Sequence, residues 1–318
     1  MQLTALLLFG SFGRNVTNFW TDGTEPAGTP QGGLPANVSF ANGTLPGPAA
    51  WMLWPVWHAQ TVAEGATAAG SPDTWSLARS AWAGSHRHKT IVWSGDISSD
   101  WATLTKQVKA GLNAMLSVPY WNSDTGGFNN GDTNTMGELQ TRWFQFSFTS
   151  SIMRLHGDRH PKNASSIPHD EVCDPTGAAG GPIEPWVYGG GAYESAIADT
   201  IHLREKMLPY IRAQIALTAS KGTPMTRPLF YDFPADAKAA EVEDQMMFGP
   251  LYMVAPVTQP MTNSSTRSVY FPKRTNSKGA AVTFRHFFTS EVYKAGSTAS
   301  VALSSNLSEF PLFILQSA

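Results

Sequence analysis

The chain has a single cysteine, few charged residues and no long apolar run in its 318 residues. One thiol, Cys173, excludes an intrachain disulfide and cannot alone build a cysteine zinc site. No basic residue adjoins it to activate it as a nucleophile. Charged residues make up 14% of the sequence and the formal net charge is -2. No basic stripe is present to hold a phosphate backbone, so nucleic acid is not an expected partner. A membrane span needs roughly 20 consecutive apolar residues, and no run approaches that length. The opening Met1-Gln-Leu-Thr-Ala-Leu-Leu-Leu-Phe-Gly10 imitates the apolar part of a signal peptide. It lacks a basic flank and leads straight into the strand-like Asn15-Val-Thr-Asn-Phe-Trp-Thr-Asp22, so a structural role is expected rather than a cleaved signal.

What is plentiful is tryptophan, with 11 residues. Many aromatics with few charges imply a large core or a groove lined with ring faces. Carbohydrate sites use such faces, because the apolar side of a sugar stacks on an indole while its hydroxyls take polar partners. Sequons at Asn15, Asn37, Asn42, Asn163, Asn263 and Asn306 lie mostly in polar, loop-like surroundings. They favour a secretory route, where alone they would be glycosylated.

Along the chain, residues 16–22 read as a strand ending in the turn Asp22-Gly-Thr-Glu-Pro26. Residues 26–50, crowded with Gly, Pro, Asn and Thr, read as a long loop of the kind that is functional or inserted. A helix is predicted over Trp54–Ala69, stopped by Gly70-Ser-Pro72. Strands are predicted at Ser80-Ala-Trp-Ala83, Thr90-Ile-Val-Trp93 and Leu116–Trp121. Helices are predicted over Trp101–Met115, where Leu104, Val108, Leu112 and Met115 recur at helical spacing, and over Met136–Ile152. Met153–His156 is brief and extended. Strands alternating with helices mean parallel βα units. Residues 157–190 form a breaker-rich excursion, after which a helix runs from Tyr193 towards Ala219 with a kink at Pro209. Strand-like runs then follow at Leu229–Tyr231, Leu251–Val257, Ser268–Phe271, Val282–Phe288 and Phe310–Leu315, and from about residue 245 they predict an all-β region.

In a parallel barrel the loops after the strands open at one face and carry the chemistry. Asp22, Arg79, Asp96, Asp124 and His156 each sit at or near such a strand end, with Trp20, Trp93 and Trp121 beside them. An Asp after a strand is more often a helix N-cap than a catalyst, and that reading stays open for Asp100 and Asp124. Arg79 paired with Asp124, and the aromatics as packing, are the corresponding readings without a ligand. His86-Arg-His88 is a poor metal site, since two side chains sharing a strand face have no evident third ligand. His58, His160, His169, His202 and His286 read as ordinary surface or core residues.

Phe19-Trp-Thr-Asp-Gly-Thr-Glu-Pro26 resembles the nucleophile motif of glycoside hydrolase family 31, the α-glucosidase and α-xylosidase family. Arg79-Ser-Ala-Trp-Ala-Gly-Ser-His-Arg87, Trp93-Ser-Gly-Asp96, Tyr120-Trp-Asn-Ser-Asp-Thr-Gly-Gly-Phe128, Arg142-Trp-Phe-Gln145, Arg154-Leu-His-Gly157, Arg227-Pro-Leu-Phe230 and Gln245-Met-Met-Phe-Gly-Pro250 continue the likeness in family order. The resemblance implies an α/β fold, a partial (β/α)8 TIM barrel holding about strands four to eight, followed by a C-terminal all-β domain. The barrel part would occupy residues 1–222, with loop insertions at about 26–50 and 157–190, and the β-rich region residues 223–318. It implies Asp22 as nucleophile and Asp96 as general acid/base, with no cofactor. Arg79, Asp124 and His156 would bind hydroxyls, and Trp93, Trp121 and Phe128 would form walls.

A retaining glycosidase needs two carboxyls roughly 5 Å apart, one to attack and one to protonate the leaving oxygen. Apolar Trp93 near Asp96 would help to keep the acid protonated. Glu25 is a rival nucleophile, although the resemblance places it in the Glu-Pro that follows the nucleophile. The expected activity is a retaining α-glycosidase acting on terminal α-linked xylose or glucose, with the xylose reading favoured by the Trp-Ser-Gly-Asp-Ile and Asp-Gly-Thr-Glu-Pro patterns. The expected partner is an oligosaccharide or glycoside substrate. Transglycosylase and α-glucan lyase activities use the same nucleophile in this family. Asp22 stands so early that the first barrel strands and a leading domain are expected to be missing. A truncated, inactive carbohydrate-binding remnant is therefore the competing expectation, and the missing N-terminal part is an expected partner.

Overall fold

The computed structural model describes residues 18–25, 37, 39–40, 43–129, 131, 135–157, 183–275, 279 and 281–316. Cys173, Asn15, Asn42, Asn163, His160, His169 and most of the two predicted loop insertions lie outside the described residues. The chain forms two compact units, one running to Gly95 and including Ser117–Trp121, the other made of Asp96–Leu116 and the chain from Asn122 onward.

In the first unit β1 (Asn18–Thr21) is followed by a small hairpin of β2 (Ser39–Phe40) and β3 (Leu45–Pro46), then by helix α1 (Gly47–Ala68). Next come β4 (Trp75–Ala78), a 3-10 turn at Ser85–His88 and β5 (Thr90–Trp93). After α2 (Trp101–Ser117), β6 (Trp121–Asn122) completes a sheet of order β1-β4-β5-β6. β1 pairs with β4, and β4 with β5, in parallel, with Thr21 opposite Ala78 and Ala78 opposite Val92. Parallel neighbours need crossovers, supplied by α1 between β1 and β4 and by the loop with the 3-10 turn between β4 and β5.

Two strand predictions shift here. Ser80–Ala83 is irregular, and the strand lies just before it at Trp75–Ala78, where Ser76, Leu77 and Ala78 are buried and Trp82 is exposed. Leu116–Trp121 shrinks to a strand beginning at Trp121, because α2 continues to Ser117 and Pro119 has no N–H to offer a ladder. The helix predicted from Trp54 starts earlier, at Gly47, with a proline in its first turn. His86 and His88 lie on the 3-10 turn rather than on a strand. No group of three His, Cys, Asp or Glu suited to a metal occurs among the described residues.

In the second unit α2 buries Leu104, Val108, Leu112 and Met115, the predicted stripe. Each such burial is worth roughly 1.5–3 kcal/mol. Asp100 Oδ1 accepts the Thr103 N–H at 2.7 Å, so this carboxylate is an N-cap. Helices α3 (Gly137–Ser147), α4 (Ala192–Lys206) and α5 (Leu208–Lys221) follow. The predicted kink at Pro209 is a full break at Met207, with the proline placed in the first turn of α5.

Beyond Gly222 come β7 (Thr226–Pro228), the short helices α6 (Leu229–Asp232) and α7 (Ala237–Glu241), β8 (Met246–Phe248) and β9 (Tyr252–Val254). They are followed by β10 (Thr266–Phe271), β11 (Thr283–His286), β12 (Val292–Lys294), β13 (Ser297–Ala302) and β14 (Leu312–Gln316). Six of these strands form an antiparallel sheet of order β12-β11-β14-β9-β8-β7, while β10 and β13 pair separately. Val269, Phe271, Phe284, Val301 and Phe313 from both sheets share one core. Leu229–Tyr231 is helix, not strand. Arg227 grips Asp232 through two bonds of 2.7 and 2.8 Å across this turn, which the apolar composition alone does not reveal.

Candidate active site

The parallel register sets the first group of residues. Thr21 and Ala78 are paired, so Asp22 and Arg79 are the next residues beyond the ends of adjacent strands. Arg79 Nη1 lies 3.3 Å from Asp22 Oδ1, and the Gly23 N–H donates to the same oxygen at 2.7 Å. Both contacts fall on Oδ1 of an exposed side chain. Gly23 takes a φ of +59°, a left-handed conformation that suits glycine.

The rest of Arg79 is taken by Glu25, whose Oε1 accepts Nε–H at 2.7 Å and also pairs with Nη2. This guanidinium holds the Glu25 carboxyl below its ordinary value, against a smaller opposing effect of burial. The loops are tied together by Thr24 Oγ1, 2.8 Å from Ser80 Oγ, which accepts the Ser80 N–H at 2.9 Å. Trp93 and Trp121 are 1% and 5% exposed, whereas Trp20 is 53% exposed and meets the Trp93 ring edge-on at 5.9 Å. The two tryptophans expected as walls are thus largely enclosed. The indole that is presented, two residues before Asp22, is Trp20.

In the second unit Asp124 is fully buried and pairs with Arg154, whose Nε–H also donates to Asn122 Oδ1 at 3.2 Å. Within their own units Arg79 is held by Asp22 and Glu25, and Asp124 by Arg154. Asp124 is not a helix cap. Burial draws the Arg154 guanidinium below its ordinary value while Asp124 acts in the opposite direction. Residues along Asn122–Thr125 alternate in partner. Asn122 and Asp124 meet Arg154, whereas Ser123 Oγ accepts the Trp143 Nε1–H at 3.0 Å and Thr125 Oγ1 lies 2.8 Å from Ser147 Oγ. Arg154 opens one of the resembling segments but is given no site role by the resemblance. Its signal is the spacing Arg154-Leu-His156, which puts both polar residues on one face of an extended segment that bridges Thr125 in parallel through Leu155.

Asp96 opens this unit and is exposed. Its loop is laced to the Phe128 loop: Ile97 O accepts the N–H groups of Phe128 and Asn129 at 2.7 and 3.1 Å, and Ser99 N–H donates to Asn129 O at 2.8 Å. Gly127 permits this approach, for a Cβ there would lie 2.5 Å from Ser99 Cα. The Phe128 and His156 rings are 5.1 Å apart. Asp22, Glu25 and Arg79 are thus assembled in one unit, and Asp96, Asp124, Phe128, His156 and Arg154 belong to the other.

Residues 9–214 match the TIM-barrel domain of glycosyl hydrolases family 31, and residues 222–318 match the C-terminal domain of that family. An alpha-xylosidase of Saccharolobus solfataricus is 35% identical over 83% of this chain, which covers 32% of that protein. A 1,6-alpha-glucosyltransferase of Sporosarcina globispora is 30% identical over 67% of this chain and 16% of its own length. A family 31 alpha-xylosidase from a soil metagenome, solved with xylose, aligns with all of this chain and 44% of its own, at a TM-score of 0.78 and 32% identity. The chain thus spans about a third of the curated xylosidase it matches. A partial parallel barrel followed by antiparallel sheets, with both domain models matched in order, makes this chain a member of glycoside hydrolase family 31.

Proposed function

We propose that the chain carries the catalytic carboxyls of a retaining α-glycosidase that removes terminal α-linked xylose or glucose. The observation that carries this reading is the exposed Asp22 carboxylate at the end of a parallel strand, held through one oxygen by Arg79 and Gly23. Oδ2 would attack the anomeric carbon as the glycosidic bond breaks, and Asp96 would give its proton to the leaving oxygen. Asp96, now a carboxylate, would then take a proton from the water that cleaves the glycosyl-Asp ester, so two inversions return the α anomer. Xylose is favoured over glucose by the likeness to xylosidases. The likeness to the glucosyltransferase supports a second reading, in which an acceptor hydroxyl replaces water at that last step. Residues 1–222 are read as the catalytic part and 223–318 as its β-rich companion.

The test is hydrolysis of aryl α-xyloside against aryl α-glucoside by the purified chain. Asp22→Ala should abolish turnover. Asp96→Ala should lower it by roughly 10²–10⁴-fold, and less where the aryl leaving group needs no proton. Glu25→Gln should leave measurable activity. Turnover by Asp22→Ala with loss in Glu25→Gln would exchange the two roles, and no turnover by the wild-type chain would remove the enzyme reading.

A further inference from the structure

Trp186 is 68% exposed, more than any other large hydrophobic side chain described. An indole left in water on a mobile tip would say little, but this one sits on a fixed turn. Pro185 sets the backbone at the start of the 3-10 turn Pro185–Tyr188. Gln140 of α3 clasps that turn from both sides, its Nε2–H donating to Ile183 O at 2.6 Å and its Oε1 accepting the Tyr188 hydroxyl at 2.5 Å. Tyr188 meets the Tyr193 ring edge-on at 5.7 Å, and Tyr193 lies against Gly137 so closely that a Cβ there would overlap its ring. Trp186 is thus held out by anchored neighbours.

The same turn adjoins the residues expected to hold the sugar. A Cβ on Gly157, the residue after His156, would stand 3.1 Å from Ile183 and 3.2 Å from the carbonyl oxygen of Phe128. Ile183 therefore rests where the His156 and Phe128 loops meet. Trp186 follows three residues later, so its Cα lies within about 11 Å of that of Ile183 even for a fully extended chain. That reach is about two sugar rings.

We propose that Trp186 is a binding platform for the leaving-group part of an α-linked oligosaccharide, stacking on the apolar face of a sugar beyond the one that is cleaved off. This rests on the glycosidase reading above. A preset indole binds at little entropic cost, and stacking on it tolerates variation in linkage. The test compares Trp186→Ala and Trp186→Phe with wild type on two substrates that share a terminal sugar: an aryl α-glycoside, and an oligosaccharide of three or more residues.

Trp186→Ala should raise KM for the oligosaccharide roughly three- to tenfold, leave kcat and both aryl constants unchanged, and be largely restored by Trp186→Phe. Equal effects on both substrates, or none on either, would overturn the platform. Fluorescence titration with the same oligosaccharide supplies a readout free of turnover. Quenching present in wild type and absent from Trp186→Ala is expected, and its lack overturns the proposal. Quenching in a chain that hydrolyses neither substrate would sink the glycosidase reading while keeping the sugar platform.

Discussion

Asp124 is fully buried and paired with Arg154, whose guanidinium also reaches Asn122 on the strand beside it. Removing one partner of a buried pair strands the other charge and costs about 3–5 kcal/mol. Asp124→Ala and Arg154→Ala are therefore each expected to lower stability by about that amount, and the double variant by less than the sum. A urea denaturation cycle over the four proteins measures the coupling; strict additivity would show that the pair acts as two separate groups. Arg154→Lys keeps the charge but loses the fork that reaches Asp124 and Asn122 together, so it should be intermediate.

The loops after the strands are set by glycines as much as by side-chain contacts. Gly127 has a φ of +83° and no room for a Cβ against Ser99, so Gly127→Ala is expected to cost about 1–3 kcal/mol and to part the Asp96 and Phe128 loops. Thermal melting checks the first effect, and exchange of the Phe128 and Asn129 amides, both donors to Ile97 O, checks the second. These elements also show what a sequence reveals. The β-branched run Thr90–Trp93 and the stripe from Leu104 to Met115 are legible because a local period matches a buried face. Ser80–Ala83 and Leu229–Tyr231 are misread because a short apolar run has no period of its own, and contacts such as Arg227 with Asp232 decide its shape. The polar residues at strand ends were readable from motif order. Which carboxylate meets which arginine was not, since Glu25 and Arg79 lie 54 positions apart.

Across the whole molecule the two units offer separate reporters. Trp101, Trp143 and Trp186 belong to the second unit and the remaining tryptophans to the first, so indole fluorescence follows mainly the first. The sheet core of the second holds His286, 4% exposed, with its Nδ1 accepting the N–H groups of Phe288 and Thr289. Burial lowers its pKa, against the opposing pull of Glu291 and Glu309. Below the ordinary histidine value of about 6.5 the unfolded chain binds a proton that the folded one refuses. Stability of this unit is thus full above about pH 6.5 and declines as pH falls towards the folded pKa. Denaturation followed by far-UV circular dichroism from pH 8 to pH 5 should show this slope, and His286→Gln should flatten it.

The parallel register of β1 and β4 reaches further than the placement of one ion pair. Asp22 and Arg79 are fixed by ladder hydrogen bonds before either loop begins, so whatever length or composition follows them does not decide where they stand. The placement of these two residues and the make-up of the loops that follow them are thereby separable during evolution. Downstream loops such as the one that presents Trp186 can be lengthened, exchanged or decorated, while a one-residue slip within the strand would turn Asp22 to the opposite face.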